Sequence, residues 1–452
     1  MAFTNFYLVA GGSGASDINA GFSTGAAQVT TTNGNWNATT GVFIAASGTP
    51  FASTIVGDYA SVYIDAATVT TFVGKVTTVT SSTQITVDIA TIKYGTAPST
   101  SATARSCTIN GAWNSEIVLA ATGLGTTTVP QATKINITGN PTVAASRTVS
   151  MAGTTTLPLW FSGYATTPDD LDADTTNALT KPTWTFSSTF ALTTSGSHQL
   201  WTGLTMSGTR SGFIWTMSGA QSRVQRCRII NASTNAAAYA MNYNVNGGEI
   251  AYCYGSVPTT GTTTGIFNIA NDTDVIGTIA SGSGTAGFEI GTALNVNLIG
   301  CVSLDSAGVG INTNASRVQV IGCTFSNCTS DAIKWVGTPS VGSMVVGALI
   351  RIAGGYGINN SSGTNTNNVY RACNGMYSVT SGRENGFGDS PESFPQTLST
   401  DPSVSNSVLS LVGGTLARRN GFPGIFENQS YSSYLDEGAA QHQEANSTGF
   451  AS

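Results

Sequence analysis

A short apolar phrase repeats along the middle of the chain, and this repeat constrains the fold more than any other feature. IGCVS at 299–303 returns as IGCTF at 321–325, 22 residues later. Related phrases surround a series of residues spaced 22 to 26 positions apart: Cys227, Cys253, Thr278, Cys301, Cys323, Ala348 and Cys373. This spacing is too long for a helix turn and too short for a domain. We therefore expect each copy to be one unit of a stacked array.

A second phrase keeps step with the first, so each period contains two strand-like segments. Its copies begin at five positions: Gly265, Gly287, Gly310, Ala332 and Gly357. Turn-rich joints such as SGSGTAG and SSGTNTNN separate the phrases. Leucine-rich repeats have a similar period but need a leucine framework, and propeller blades need about 40 residues. The pattern predicts an all-β chain whose middle is a parallel β-helix, with one repeat per turn.

The alternation of side chains along a strand assigns the two faces of each phrase. Aligning the copies predicts one inward-facing set: Ile299, Cys301, Ser303, Ile321, Cys323 and Phe325. The opposite set should face outward, because its polar groups are costly to bury without partners: Arg226, Arg228, Tyr252, Tyr254 and Arg351. The cysteines should then form an inward ladder of reduced thiols that pack as small apolar groups. A redox or metal site is the alternative, but the chain has only two histidines and no Cys-x-x-Cys spacing.

The regions on either side of the repeat differ from it in pattern. We predict an extended N-terminal anchoring segment at 1–50, a small antiparallel β domain at 51–112, the β-helix at 113–400, and a C-terminal cap with a loose tail at 401–452. Strand phrases alternate with turn signals from 57 to 90, which indicates an antiparallel meander. Paired turn signals at 421–424 precede one last strand phrase, which would cover the open edge of the terminal turn.

Charge and composition exclude several classes of function. Only 9% of the residues are charged, against roughly 25% in an average soluble domain. The net charge is −6 and the Lys and Arg residues form no cluster, so nucleic-acid binding is not expected. No apolar run approaches the ~18 residues of a membrane span, and the N-terminus lacks the basic segment of a secretory signal. No motif for a cofactor or a resident metal was found, so none is expected.

Several segments together resemble right-handed parallel β-helix proteins encoded by bacteriophages. These segments are TNFYLVAGGSG near the N-terminus, TLPLWFSGYATTPDD at 156–170, GFPGIF at 421–426 and YLDEGAAQHQ at 434–443. The resemblance implies a right-handed β-helix and a virion component such as a fibre, a spike or a decoration protein. It also implies a homotrimer, made in the host cytoplasm, that attaches to other virion proteins through its N-terminal region.

Catalysis and binding each have weak candidate residues. A polysaccharide depolymerase would need two carboxylates about 5 to 9 Å apart, and Glu289 and Asp331 are the candidate pair because they lie on turns two apart. The acidic run 169–174 lacks the glycine and glutamate of a calcium loop, which favours a solvated loop. Asp305, Asn231 and Asn327 occupy one repeat position, as in a ladder of turn residues.

Aromatic and glycine residues are the candidates for contacts with other molecules. Tyr252 and Tyr254 could stack on sugar rings or pack against another subunit. A glycine precedes the anchor residue on four consecutive turns: Gly277, Gly300, Gly322 and Gly347. This column could admit another backbone at a subunit interface, or it could relieve strain at a bend between two sheets.

Two functions follow from this pattern. The first is a structural and adhesive virion protein that presents a rigid β-helical surface and attaches to a host or to a host-surface glycan. The second is a polysaccharide depolymerase on the same scaffold, so enzyme activity stays an open alternative. A secreted bacterial adhesin or lyase is disfavoured because no secretory signal is found.

Overall fold

The computed structural model describes most of the chain up to residue 379. The described residues are 3–9, 20–63, 72–113, 119, 132–173, 180–187, 189–235, 237–258, 265–292, 294–336, 342–346, 348–350, 353–360, 369–371 and 377–379. The predictions for Gly347, Arg351, Cys373 and the cap and tail at 401–452 fall outside these residues. Two compact units divide the chain: Met1–Asp170, Lys181–Thr185 and Leu192–Leu204 form the first, and Leu171–Thr180, Phe186–Ala191 and Thr205–Ser452 form the second.

A small antiparallel barrel lies in the first unit. With strands numbered in chain order, its members are β2 (Val29–Asn37), β3 (Val42–Ala45), β4 (Tyr59–Tyr63), β5 (Phe72–Ser81), β6 (Gln84–Val87), β7 (Lys93–Tyr94) and β8 (Ala102–Ile109). They pair in the order β4-β8-β2-β3-β6-β5-β7, and an additional pairing of β4 with β5 closes the sheet. Its core contains the buried side chains of Trp36, Phe43, Phe72 and Ile85.

The barrel begins earlier in the chain than the sequence pattern predicted. Two of its strands, β2 and β3, lie inside the segment 1–50 that was expected to be an extended anchor. The strand VTTTNGNWN is rich in Thr and Asn, and only its Val29, Gly34 and Trp36 are buried, so its core-facing side gives little apolar signal. The small β domain therefore includes Val29 onward and ends near Ile109.

The N-terminal strand also has a defined partner. Strand β1 (Thr4–Val9) pairs in parallel with β9 (Thr133–Thr138) over six residues. The Phe6 ring stacks on Trp113 with 5.3 Å between centroids and meets the Tyr59 and Tyr94 rings edge-on at 5.2 and 4.9 Å. The hydroxyl of Tyr94 lies 2.8 Å from that of Thr133. These contacts join β1, the barrel strands and β9 within the first unit.

The second unit is a parallel β-solenoid in which a turn contributes one strand to each of three sheets. Sheet 1 contains β18 (Arg223–Gln225), β21 (Gly248–Ala251), β24 (Thr273–Ile276), β27 (Asn297–Ile299), β30 (Gln319–Ile321), β33 (Met344–Val346) and β36 (Val369–Arg371). Sheet 2 contains β16 (Thr205–Gly208), β19 (Arg228–Asn231), β22 (Tyr254–Ser256), β25 (Ile279–Ser283), β28 (Val302–Ser306), β31 (Thr324–Ser326) and β34 (Leu349–Ile350). Sheet 3 contains β17 (Phe213–Met217), β20 (Tyr239–Tyr243), β23 (Gly265–Ile269), β26 (Ala286–Ile290), β29 (Val309–Thr313), β32 (Ile333–Trp335), β35 (Ile358–Asn360) and β37 (Tyr377–Val379).

The remaining described elements precede these strands in the chain. They are β10 (Thr142–Val143), β11 (Arg147–Val149), β12 (Leu159–Gly163), β13 (Thr183–Phe186), β14 (Leu192–Thr194), β15 (Gln199–Thr202) and the four-residue helix α1 (Asp170–Ala173). Strands β9, β12 and β15 pair in parallel, and so do β11 and β14. The prediction of an all-β chain with a parallel β-helix and a small antiparallel β domain is confirmed.

Left-handed residues form the corner between sheet 1 and sheet 2. The residue at this corner has φ of 53°, 54°, 54°, 62° and 59° on five successive turns: Arg226, Tyr252, Gly277, Gly300 and Gly322. Its backbone N–H donates to a carbonyl of the next turn, as Gly300 does to Ile321 at 2.9 Å. The corner is thus a bend that hydrogen bonds hold from turn to turn.

This corner corrects part of the predicted inward face. Leu298 and Val320 are fully buried, whereas Ile299 and Ile321 are only half-buried on the outer side. The prediction was wrong at these two isoleucines because it carried one alternation through a left-handed residue, which changes the direction of the chain. Beyond the corner the prediction is confirmed, since Cys301, Ser303, Cys323 and Phe325 are buried.

The cysteines lie in one inward column, as predicted. Cys227, Cys253, Cys301 and Cys323 are buried free thiols. The Cys301 Sγ donates to the carbonyls of Val275 at 3.2 Å and Ile299 at 3.7 Å. Cys253 and Cys323 make equivalent pairs of bonds, and on the intervening turn Thr278 does so through its hydroxyl. The thiols are therefore hydrogen-bond donors as well as packing groups.

Candidate binding face on the third sheet

A column of polar side chains runs along the outer face of sheet 3. Strand register aligns one residue from each of six successive turns: Asn242, Asn268, Glu289, Asn312, Lys334 and Asn359. All six are half-buried, and the residues on either side of the first five, such as Phe288 and Ile290 around Glu289, are buried. The alternation of the strands thus directs these six side chains, called here the polar column, away from the core.

Hydrogen bonds connect neighbouring members of the polar column. The Asn268 Nδ2 donates to the Asn242 Oδ1 at 3.0 Å, and the Asn312 Nδ2 donates to the Glu289 Oε1 at 3.2 Å. Parallel strands about 4.8 Å apart bring equivalent side chains within reach of each other. The bonds hold the amides in fixed orientations, and each amide still has donor or acceptor capacity for a ligand.

Glu289 is the member of the column with a perturbed pKa. Burial raises the pKa of its carboxyl group, and the hydrogen bond from Asn312 offsets part of that effect. Burial disfavours the charged form, so this carboxyl holds its proton more readily than an exposed glutamate does.

Asp331 does not face Glu289. Asp331 is 4% exposed, its Oδ1 accepts the Tyr356 N–H at 2.7 Å, and its Oδ2 accepts the Asn359 Nδ2 at 2.8 Å. Glu289 aligns through Asn312 with Lys334, which lies three residues beyond Asp331. The two backbones are therefore offset by about 10 Å along the stack and about 10 Å along the strands. The predicted catalytic pair is not brought together across a cleft, and its role stays a prediction that this geometry does not favour.

Lys334 supplies the positive charge of the polar column. It is half-buried between Asn312 and Asn359 in the strand register, and its neighbours Ile333 and Trp335 are buried. Within the described part of the chain, the only ion pair joins Lys134 to Asp169, so the Lys334 ammonium has no carboxylate partner there.

The two candidate tyrosines do not share an exposed face. Tyr252 is the left-handed corner residue of its turn, is only 8% exposed, and covers Gly277, where a methyl group would lie 2.7 Å from the ring. Tyr254 is half-buried on sheet 2, with the Arg228 guanidinium carbon 5.3 Å from its ring centroid. The expectation that both point outward holds for Tyr254 alone. A binding role for these tyrosines stays a prediction.

The glycine column coincides with the corner between sheets 1 and 2. Gly277, Gly300 and Gly322 are buried and adopt left-handed φ values. These features favour the interpretation that the column forms a bend between two sheets. Glycine adopts this conformation without the steric cost that other residues incur. Their proposed role in a subunit interface stays a prediction.

The acidic run and the Asp/Asn position have structural partners that the sequence did not show. Asp169 pairs with Lys134, whose Nζ also lies 3.6 Å from the centroid of the Trp160 ring. Burial would raise the pKa of Asp170, but bonds from the backbone N–H groups of residues 165–167 outweigh burial and lower it. The described residues contain no group of three or more His, Cys, Asp or Glu arranged to hold a metal ion.

The predicted ladder of turn residues forms in part. Asp305 and Asn327 are both left-handed, and the Asn327 Nδ2 donates to the Asp305 Oδ1 at 2.8 Å. Asn231 is buried and instead donates to the carbonyls of Arg210, Gly212 and Tyr239. All three residues thus stabilise turns, although only two of them pair with each other.

The polar column was missed at the level of sequence, although its signal was present. Asn268, Glu289, Asn312, Lys334 and Asn359 are the polar residues just inside the repeated second phrase. When only carboxylates are compared, Glu289 is not grouped with the asparagines that lie beside it on the neighbouring turns. Aligning the polar residue of each second phrase would have identified the column.

Comparisons with known proteins found similar solved structures at low sequence identity. No family model matches the chain, and no curated protein matches it. Among solved structures, pectate lyase Pel9A is 12% identical with a TM-score of 0.43, and the similarity covers 70% of this chain and 82% of that one. The Dettilon tailspike protein is 14% identical with a TM-score of 0.34, covering 54% and 56%.

A third similar structure is the catalytic unit of a GH87 α-1,3-glucanase from Streptomyces thermodiastaticus. It is 10% identical with a TM-score of 0.24, and the similarity covers 82% of this chain and 90% of that one. None of these similarities indicates an activity for this chain. No helix among the described residues is long and apolar enough to cross a membrane.

Proposed function

We propose that this chain is a structural and adhesive virion protein that binds a surface polysaccharide along the outer face of sheet 3. The observation that supports this function best is the polar column, in which amide, carboxylate and ammonium groups repeat once per turn. A polysaccharide also presents polar groups at regular intervals along an extended chain. The column and the polymer therefore match in periodicity.

The chemistry of the column suits sugar hydroxyl groups. Each Asn side chain has two donor hydrogens and an acceptor oxygen, so it can bond a hydroxyl in either direction. The backbone of each strand pairs with the turns above and below, and these pairings fix the spacing of the column before any ligand binds. A preformed site loses less conformational entropy on binding than a flexible one.

Adhesion fits this surface better than hydrolysis does. Hydrolysis of a glycosidic bond uses two carboxyl groups on either side of the bond. Glu289 is the carboxylate of the polar column, while both oxygens of Asp331 already accept hydrogen bonds from Tyr356 and Asn359. A depolymerase on this scaffold is the alternative function, for which the raised pKa of Glu289 would supply a proton donor.

The proposed setting is a virion, in line with the resemblance of the terminal and 156–170 segments to phage β-helix proteins. In this setting the chain is made in the host cytoplasm, assembles as a homotrimer, and joins other virion proteins through its N-terminal region. The chain has few charged residues, and its turns pair edge to edge through backbone hydrogen bonds. Both features suit a protein that is exposed to the environment.

Binding of purified protein to immobilised host capsule or lipopolysaccharide tests the function. The variant Asn312→Ala removes an amide that donates to a carboxylate on the adjacent turn of sheet 3. Asn297→Ala is the matched control on sheet 1, because the Asn297 Nδ2 donates to the Asp274 Oδ1 at 2.8 Å in the same way. We expect Asn312→Ala to weaken binding about tenfold and Asn297→Ala to leave it unchanged.

The same samples separate adhesion from cleavage. We expect no new reducing ends after long incubation of the polysaccharide with the protein. If the native protein released reducing ends and Glu289→Gln did not, the chain would be a depolymerase and the proposal of adhesion alone would be wrong. If Asn312→Ala and Asn297→Ala bound the polysaccharide equally well, sheet 3 would not be the attachment face.

A further inference from the structure

We propose that the polysaccharide bound by the polar column is acidic and that Lys334 selects it through an anionic group. This inference rests on the proposed function and identifies the class of glycan at the same face. The amide groups of the column can form hydrogen bonds with the hydroxyl groups of any polysaccharide, charged or neutral. The ammonium group of Lys334 is the element that distinguishes a charged polymer from a neutral one.

Lys134 and Lys334 differ in their partners. Lys134 is 4% exposed, pairs with Asp169 and lies over the Trp160 ring, so its charge is compensated within the protein. Lys334 is half-buried and has no carboxylate within ion-pair distance among the described residues. An ammonium without a counter-charge in the protein can form a charge-assisted hydrogen bond with a bound anion, which a lysine already paired with a carboxylate does less readily.

The neighbours of Lys334 each use part of their donor capacity within the protein. The Asn312 Nδ2 already donates to Glu289, and the Asn359 Nδ2 already donates to Asp331. Each amide can still donate its second N–H, but the ammonium of Lys334 is the group that carries a positive charge and forms the stronger, charge-assisted hydrogen bond with an anion. Carboxylate, sulfate and phosphate groups on a sugar all meet this requirement.

Three polysaccharide probes test this selectivity at low ionic strength. Hyaluronate carries a carboxylate on alternate sugars, polygalacturonate carries one on every sugar, and dextran is neutral. We expect the native protein to bind hyaluronate and polygalacturonate each about tenfold more tightly than dextran. Added salt should reduce the hyaluronate preference, because exposed charge pairs are screened.

Lysine variants assign the preference to a residue. Lys334→Met should abolish the preference for hyaluronate over dextran, and Lys334→Arg should keep the preference. Lys93→Met is the matched control, because Lys93 is also half-buried but lies on β7 of the barrel. Melting temperatures of all variants establish that they are folded.

The outcomes separate the inference from the function on which it rests. An unchanged hyaluronate preference in Lys334→Met, or equal binding of hyaluronate and dextran by the native protein, would overturn the inference and leave glycan adhesion intact. Failure of the native protein to bind any of the three probes or any host polysaccharide would overturn both.

Discussion

At the scale of the residue, the inward thiols show how one side chain meets two requirements. The position after the left-handed corner lies in the dry interior, where a carbonyl of the same turn and one of the previous turn are both within reach. A thiol is apolar enough to be buried there and still donates a weak hydrogen bond. Thr278 meets the same requirement with a hydroxyl, which explains how a threonine can take the place of cysteine on that turn.

Substitution of Cys301 tests the donor role of this column. Cys301→Ser retains a donor toward the carbonyls of Val275 and Ile299, whereas Cys301→Ala removes it. We expect Cys301→Ala to lower the free energy of unfolding by about 1 kcal/mol more than Cys301→Ser does. Urea denaturation of both variants measures the difference. If serine were the more destabilising of the two, the thiol would act by apolar packing alone.

Glu289 gives a pH dependence of stability that can be measured. Its folded pKa is raised by burial, so the protonated form is favoured in the folded state. Stability from this group is therefore full below the ordinary glutamate pKa of 4.5 and is lost as pH rises through the folded pKa. Glu289→Gln should melt at a higher temperature than the native protein at neutral pH and should lose that advantage in acid. Melting curves that keep a constant offset across this range would contradict the assignment.

At the scale of the element, the corner between sheets 1 and 2 determines which faces the strands present. Arg226 and Tyr252 adopt the same left-handed conformation as Gly277, Gly300 and Gly322, so the corner does not depend on glycine at every turn. Turn-to-turn hydrogen bonds compensate for the strain of a side chain at this position. Glycine is required most where a neighbouring side chain leaves no room.

Gly277 is such a position, and an alanine substitution tests it. Both Gly277 and the surface residue Gly48 are left-handed, but a methyl group at Gly277 would meet the Tyr252 ring whereas one at Gly48 would meet nothing within 4 Å. Gly48→Ala should cost about 1 kcal/mol from backbone strain alone. Gly277→Ala should cost more, and adding Tyr252→Ala should recover part of the difference. Denaturant midpoints of the four proteins check this, and equal costs at the two glycines would exclude the steric contribution.

The corner also marks the limit of prediction from the repeat. The two phrases correctly predicted strands, their joints and the inward position of Cys301 and Cys323. The alternation was extended from Cys301 back to Ile299 through Gly300, and there it failed because a left-handed residue ends one strand direction and begins another. The polar column depends on the register between strands more than 20 residues apart, which local alternation does not contain.

At the scale of the whole molecule, the two units bury their apolar side chains in different ways. The barrel closes on itself around Trp36, Phe43 and Phe72, so it has a core of its own. The solenoid buries its side chains between successive turns, and each turn is stabilised mainly by its neighbours. A terminal turn exposes unpaired backbone groups, which makes self-association or a cap advantageous.

The proposed trimer makes a direct prediction about mass. Light scattering of the full chain should give about three times the 46.2 kDa of one chain. The physical reason is that a β-helix with few charges and half-buried isoleucines on its outer side, such as Ile299 and Ile321, gains by packing against copies of itself. A single species at the mass of one chain across micromolar concentrations would contradict the proposed assembly.

The sequence by itself determined that the middle of this protein stacks turns of 22 to 26 residues, because a repeated phrase is a local property that any one copy displays. It also determined the inward cysteines and the turn chemistry, which follow from residue type and spacing. Only the tertiary structure decided the start of the barrel, the outward position of Ile299 and Ile321, and the separation of Asp331 from Glu289. These features depend on hydrogen-bond register between distant strands and on the direction of the chain at left-handed corners, and neither is specified within a single repeat.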